Sequence, residues 1–421
     1  MKIFADLHLH SKYSRATSKE MTIENIERYA KIKGLNLLGT GDFTHNYWLK
    51  ELKRNLTEVE NKGLFQFKDK SIYFMLQSEV SNIYNQNDKV RKIHNIILSP
   101  SFEIVDQIND FLKNYGNLAS DGRPILTNIN CAELAENLFK ISKDIIIIPA
   151  HAWTPWFSLF GSKSGFDSIE ECFQEQTKNI FALETGLSST PAMNWRLSAL
   201  DKFTLVSNSD SHSPWPTRIG RELNVFETEM NYKEIINAIK EKNPKKFLYT
   251  VEVDPAYGKY HWDGHRTCNV SLEPKESIKY HNVCPVCGKP LTIGVLHRIE
   301  ELADREEGFV LKNAIPFKSL LPLSELIAAV YNTEPFSKKV WEESTKLTKE
   351  FGSELNVLLE TEEDKLKLLT NEKIVEIIVK NRKGELKVQP GYDGIYGKLL
   401  LNESASIKQP QKRLDSFTNN K

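Results

Sequence analysis

His8 and His10 alternate with leucines in the run Ala5-Asp6-Leu7-His8-Leu9-His10-Ser11. Every second side chain of a strand points the same way, so this run presents two imidazoles to one ion. The theme recurs as far as His212. The run Leu37 to Gly41 ends in Asp42, Phe74 to Ser78 ends in Glu79, and Ile93 to Leu98 carries His94. Ile145 to Ala150 delivers His151, and Thr204 to Ser209 delivers Asp210 and then His212. A lone histidine at a strand end is ordinarily a hydrogen-bonded residue and nothing more. Six apolar runs that each place a nitrogen or oxygen donor at or near a terminus are what a metal cluster built from several elements requires. So many imidazoles suit zinc, manganese or iron, and magnesium could support turnover at a weaker position.

A second donor set is separate. His265-Arg266-Thr267-Cys268 and Cys284-Pro285-Val286-Cys287 are pairs with two-residue spacers, fifteen residues apart, which fits a tetrahedral structural zinc. His261 competes with His265 for the fourth ligand. The remaining cysteines, Cys131 and Cys172, stand alone, so the pattern is metal spacing and no disulfide framework.

The elements that must position these groups follow a strand-helix rhythm. Thr22 caps a helix from Ile23 to Lys33, Gly34 stops it, and an apolar strand follows at once. A last unit of this kind is a helix over Tyr232–Lys240 and a strand over Phe247–Val251, which places a domain boundary near residue 250. Residues 251–300 are too short and polar to make a core without a clamp, which the zinc set supplies. Residues 301–400 read as helices, at Leu323–Tyr331, Lys338–Glu350 and Lys365–Val379, with Glu360–Asp364 a solvated turn or helix start. Pro390-Gly391-Tyr392-Asp393-Gly394 lacks the ending of a phosphate loop and reads as a packed turn, with a DNA-contacting loop as the alternative.

The His-x-His opening, central Glu and Asp-x-His close resemble the polymerase and histidinol phosphatase (PHP) superfamily over roughly the first half of the chain. The resemblance implies an α/β fold, a distorted (β/α)7 barrel with metals at the C-terminal ends of its strands. It implies that His8, His10, Glu79 and Asp210 hold one ion and that Glu79, His94 and His151 hold a second, with Glu79 as the bridge. Ala16 and Phe43 stand where the family's third ion takes ligands; His212 is in place, and Asp42 or His45 could substitute. Two ions are therefore expected, with a third position open. Two ions bridged by a carboxylate suit phosphoester hydrolysis, with Asp210 or His212 assisting water activation or leaving-group protonation.

With the zinc-type insertion, the phrase Leu291-Thr292-Ile293-Gly294-Val295 leading to Glu300-Glu301-Leu302-Ala303-Asp304-Arg305, and the Pro-Gly-Tyr-Asp-Gly segment, the chain resembles the endonuclease Q family over nearly its full length. That resemblance implies nicking of DNA 5′ to uracil, hypoxanthine, xanthine or an abasic site, leaving a 3′-hydroxyl and a 5′-phosphate. The alternative is a small-molecule phosphatase of the histidinol phosphate type. Lys89, Arg91, Lys92, Arg218 and Arg221 flank donor residues and are placed to meet phosphates, while Trp153, Trp156 and Phe157 follow His151 and could stack on an extruded base.

Equal numbers of basic and acidic residues, 56 of each, exclude a generic polycation but not a localised DNA surface. No signal peptide or membrane-spanning run is legible, so a cytoplasmic, nucleoid-associated protein is expected. Residues 401–421 read as a flexible tail. Within it, Gln411, Leu414 and Phe417 have the anchor spacing of a one-turn helix in a groove and resemble the motif that binds the sliding clamp, PCNA, although Thr418 replaces the usual second aromatic.

Overall fold

The computed structural model describes residues 1–68 and 70–400; the clamp-like motif lies outside them. The first part alternates strands and helices: β1 (Lys2–Asp6), α1 (Ile23–Lys33), β2 (Leu37–Gly39), α2 (Asn46–Asn55), β3 (Thr57–Val59), β4 (Leu64–Gln66), β5 (Tyr73–Gln86) and β6 (Lys89–Ser99). It continues with α3 (Phe102–Leu112), β7 (Ile125–Thr127), α4 (Cys131–Ile141), β8 (Ile146–Pro149), α5 (Ile169–Phe173), β9 (Ala182–Glu184), α6 (Pro191–Asn194), β10 (Thr204–Val206), β11 (Leu223–Glu227), α7 (Tyr232–Glu241) and β12 (Phe247–Glu252). Thr22 accepts a hydrogen bond from the Asn25 N–H at the start of α1, and Gly34 ends that helix at φ 100°.

The expected (β/α)7 barrel is met as a mixed α/β body whose strand pattern is less uniform. Strands β1, β2 and β5 run parallel, but β6 is antiparallel to both β5 and β8, and β9 pairs with β10 in a separate parallel sheet. The two sheets are stitched where the donors gather: Leu9 bridges Ser211, and the Ala152 N–H donates to Glu184 O. Alternation sorts the side chains. Ile146 and Ile148 join Ala5, Met75, Ile96, Ala182 and Val206 in one interior cluster, while Ile147 belongs to a second cluster that includes Ile26, Val105 and Leu134 of the helices. A slip of one residue would exchange these faces, so burial on both sides fixes the register.

The chain then leaves the main sheet to form β13 (Asp263–His265), β14 (Val270–Leu272), α8 (Pro274–Lys279) and α9 (Val295–Leu302), and returns as β15 (Phe317–Ser319), parallel to β12. Helices α10 (Leu323–Tyr331), α11 (Lys338–Phe351), α12 (Glu354–Leu359), α13 (Glu363–Lys367) and α14 (Glu372–Lys383) follow, then the hairpin of β16 (Lys387–Gln389) and β17 (Lys398–Leu400). These helices share a core of their own around Leu326, Leu347, Leu358 and Ile378. The single helix expected over Lys365–Val379 is two, because Asn371 caps α14 by accepting from the Ile374 N–H. The glycine-rich segment packs as a turn: a Cβ on Gly391 would stand 2.0 Å from Gly258 O, and Tyr392 donates to Asn269.

Candidate metal centre

Three donor residues sit where the backbone turns sharply out of a strand. Asp42, His151 and Asp210 have φ of 42°, 31° and 48°, positive values rare for residues with a Cβ. Each therefore leaves its strand at a fixed angle, His151 and Asp210 toward the other donors and Asp42 toward Ser11 and Nδ1 of His10. Gly186 permits one of these turns, since a Cβ there would lie 2.7 Å from the His151 Cβ. Glu79 and His94 differ. They lie inside the long antiparallel pair β5–β6, with His94 opposite Ser81 and Glu79 opposite Ile96.

Two groups result, and Glu79 belongs to both. His8, His10, Glu79 and Asp210 form one, and Glu79, His94 and His151 the other, with the donor atoms of each group within 4.8 Å of one another. His10 Nε2 is 3.0 Å from Asp210 Oδ1 and 3.2 Å from Glu79 Oε2, and His94 Nδ1 and His151 Nε2 are 2.9 and 3.1 Å from Glu79 Oε1. Nε2 of His8, Nε2 of His10 and Oδ1 of Asp210 are buried without a hydrogen-bond partner. Buried polar atoms left unpaired are costly, and three that converge fit a divalent cation.

The carboxylates of the cluster are held ionised, while burial that would lower His8, His10 and His151 is outweighed by the acidic groups around them, which raise all three above the ordinary imidazole value. Burial would raise the Glu79 carboxyl, but His94, Arg123 and His8 hold it well below its ordinary value. Burial likewise opposes ionisation of Asp210, and His8 and His10 outweigh it, so that its pKa is also lowered. Burial pushes His94 down to about 4, leaving a neutral imidazole. His212 is also lowered, by burial and then by His10; its Nδ1–H donates to Asp210 O at 2.9 Å. It lies outside both donor groups, with its ring centroid 4.4 Å from that of His10.

Asp42 is a correction. Its Oδ1 accepts from His10 Nδ1 at 3.0 Å, and its Oδ2 accepts from the Ser11 N–H, Ser11 Oγ and Ser14 Oγ at 2.5, 2.6 and 2.9 Å. Held by these bonds, it orients His10 and lies outside both donor groups. Three of the residues expected at DNA are also structural. Trp153 is 1% exposed, donates from Nε1 to Asn194 and packs on Phe160. Arg91 donates to Gly165 O and lies 4.1 Å from the Phe166 ring centroid. Arg221 donates twice to Ser209 O, bracing the turn before Asp210. Arg218 faces Glu325 at 3.7 Å, Lys92 lies over Phe157, and Lys89 is exposed at the start of β6.

Sequence reasoning missed two residues. Glu184, fully buried, accepts from His8 Nδ1 at 3.0 Å, the His151 N–H at 2.8 Å and Asn208 Nδ2 at 2.8 Å. Its signal was the carboxylate ending the apolar Phe181-Ala182-Leu183 run. Arg123 reaches Glu79 Oε2 at 3.1 Å from a loop, where no periodicity marks it.

Beside His94 and His151 opens a cavity of about 350 Å³, walled by Trp156, Phe157, Tyr260, His261 and Tyr396. Trp156 is 41% exposed and meets Tyr260 edge-on at 5.5 Å. The structure brings His265, Cys268, Cys284 and Cys287 together, with donor atoms within 4.8 Å, and leaves His261 on the cavity instead. Thiolates and an imidazole so spaced fit a zinc ion.

Fold and site together define a mixed α/β protein built around clustered metal-binding donors, with a Cys/His cluster and a helical C-terminal region attached. The MJ0043 C-terminal domain model matches residues 322–385. The protein MJ0043 of Methanocaldococcus jannaschii is 35% identical over 258 residues, 59% of this chain, which spans 31% of that relative's length. YqxK of Bacillus subtilis is 30% identical over 94% of this chain and 99% of its own. Among solved structures, the lesion-specific endonuclease PfuEndoQ from Pyrococcus furiosus is 34% identical, with a TM-score of 0.85 over 96% of each chain. An endonuclease Q complex with a 27-mer duplex carrying an abasic lesion at the active site is likewise 34% identical, with a TM-score of 0.84 over 98% of this chain and 100% of that one. The chain belongs to the endonuclease Q family. Among the described residues, no helix is long and apolar enough to cross a membrane.

Proposed function

We propose that this chain is a metal-dependent DNA repair endonuclease that nicks on the 5′ side of uracil, hypoxanthine, xanthine or an abasic site, leaving a 3′-hydroxyl and a 5′-phosphate. One observation carries the reading: the buried Glu79 is shared by two donor groups, and His94, His151 and Asp210 of those groups line an aromatic-walled cavity. Similarity over nearly the whole chain to a nuclease bound to lesion-bearing duplex supports DNA as the substrate rather than a small ester.

His8, His10, Glu79 and Asp210 would hold one divalent ion, and Glu79, His94 and His151 another. Zinc, manganese or iron suit these donors. Such ions, when bound, lower the pKa of a water and neutralise charge growing on the phosphate oxygens. His212, its Nδ1–H committed to Asp210 O, keeps Nε2 free to accept or return a proton. The cavity takes the extruded base, with Trp156 and Tyr260 offering ring faces. A mispaired or missing base costs less to unstack, which favours lesions over intact pairs. Lys89, Lys92 and Arg218 contribute charge toward the DNA backbone. Residues 1–250 carry the chemistry, 251–300 form a zinc module on His265, Cys268, Cys284 and Cys287, 301–400 form a helical DNA-binding region, and 401–421 engage PCNA through Gln411, Leu414 and Phe417.

Incubating the protein with a labelled duplex containing one uracil and Mg²⁺, Mn²⁺ or Zn²⁺ should give one nick immediately 5′ of the lesion. Asp210→Asn should abolish the nick while largely sparing duplex binding; undiminished cleavage by that variant would falsify the donor assignment. Truncation after Asn402 should keep basal nicking but lose stimulation by the clamp, and equal clamp capture without the tail would refute the tether.

A further inference from the structure

Arg123 is held at the mouth of the donor cluster by a loop pressed against it. The Gly122 N–H donates to Tyr13 O, Thr44 Oγ1 donates to Gly122 O, and the Arg123 N–H donates to Asp121 Oδ1, each at 3.1 Å. Gly122 permits the approach, because a Cβ there would lie 2.2 Å from Asp42 Oδ2 and 2.3 Å from Ser14 Oγ. The next side chain therefore reaches the cluster from its open side. Arg123 is 26% exposed and Glu79 not at all, and Nη1 sits 3.1 Å from Glu79 Oε2. That same oxygen lies 3.2 Å from His10 Nε2 and 3.7 Å from His8 Nε2.

This placement creates a conflict with a physical resolution. A guanidinium does not give up its charge in a protein, so it neutralises Glu79 only while no other cation does. Cations among the surrounding donors would share that carboxylate and repel Arg123 at short range. A planar fork at the exposed rim, released from its carboxylate, matches the paired oxygens of a phosphate.

We propose that Arg123 is an exchangeable phosphate clamp: it occupies Glu79 in the metal-free protein and takes a non-bridging oxygen of the phosphodiester when the donor groups are loaded. The phosphodiester rests on the function proposed above; the exchange itself does not.

Two binding measurements on the full chain test this without a DNA substrate. Titration calorimetry with Mn²⁺ should show Arg123→Met binding the ion several-fold more tightly than the parent, because a competing cation is gone. With Mn²⁺ saturating, inorganic phosphate should bind that variant on the order of 10- to 100-fold more weakly, the loss expected for a charge-assisted pair. Arg123→Lys keeps the charge but not the fork, so it should retain parental Mn²⁺ affinity and recover only part of the phosphate affinity. Weaker Mn²⁺ binding by Arg123→Met would mean that Arg123 merely braces Glu79, and unchanged phosphate affinity in both variants would remove the clamp. If Arg123→Met does not fold, the lysine variant decides: full parental phosphate affinity overturns the proposal. Failure to nick uracil-containing DNA would count against the proposed function and leave these binding results standing.

Discussion

At the scale of single residues, the two carboxylates behind the histidines set what the histidines can do. Asp42 holds Nδ1 of His10 and Glu184 holds Nδ1 of His8, which fixes both rings with Nε2 toward the cluster. Such partners orient a ligand and raise its basicity, and losing one typically weakens metal binding about 10- to 100-fold. Asp42→Asn and Glu184→Gln should each show that loss in a Mn²⁺ titration, with the number of ions bound unchanged. A lowered stoichiometry in Asp42→Asn would instead restore Asp42 as a direct ligand. The sequence offers no way to separate these roles, because a ligand and its supporting carboxylate both end apolar runs.

At the scale of elements, three strands bring carboxylates into one dry region. Glu222 precedes β11, Glu252 ends β12 and Glu184 ends β9, and all three are fully buried. Burial, then the charge of Glu252, pushes Glu222 well above its ordinary value, and burial raises Glu252 to about 7. A carboxyl raised on folding takes up a proton, so stability declines as pH rises above the unfolded value near 4.5 and toward the folded one. Glu222 Oε1 accepts from the Val253 N–H while Oε2 is buried without a partner. Glu222→Gln keeps the acceptor and removes the titration. Its melting temperature should match the parent near pH 5 and exceed it near pH 8; an equal difference at both would exclude the linkage.

At the scale of the whole molecule, buried charge ties the helical region to the mixed α/β body. Lys33 of α1 meets Glu354 of α12 at 2.7 Å and also donates to Pro216 O, while Glu354 accepts from the Leu323 N–H. Arg196 holds Glu300 through two hydrogen bonds of 2.7 and 3.0 Å, anchoring α9 to the same body. Removing one partner of a buried pair strands the other charge, and the typical cost is about 3–5 kcal/mol. Lys33→Met should lower unfolding stability by about that amount, and adding Glu354→Leu should recover much of it. Equal losses in the single and double variants, measured by denaturant unfolding, would show that the pair contributes nothing specific.

The alternation of apolar residues with His, Asp and Glu pointed to the donors that converge, but also to Asp42 and His212, which lie outside both groups. Spacing alone marked the Cys/His cluster, because a ligand pair two residues apart is a local property. Caps were legible for the same reason: Thr22 and Gly34 act on the backbone within one turn. Contacts between distant segments were not legible. Alternation could tell that Arg91 and Trp153 adjoin donor residues, but only packing against Phe166 and Asn194 turned them away from solvent. Arg123 sits in a loop without periodicity, and nothing local records that Gly122 lets it approach Asp42 and Glu79. The sequence by itself determined which side chains could bind metal and on which strands they lie. Tertiary structure decided which face the cluster, which support it and which only fill the core, because lone pairs and guanidinium protons are satisfied in space, by partners whose separation along the chain carries no signal.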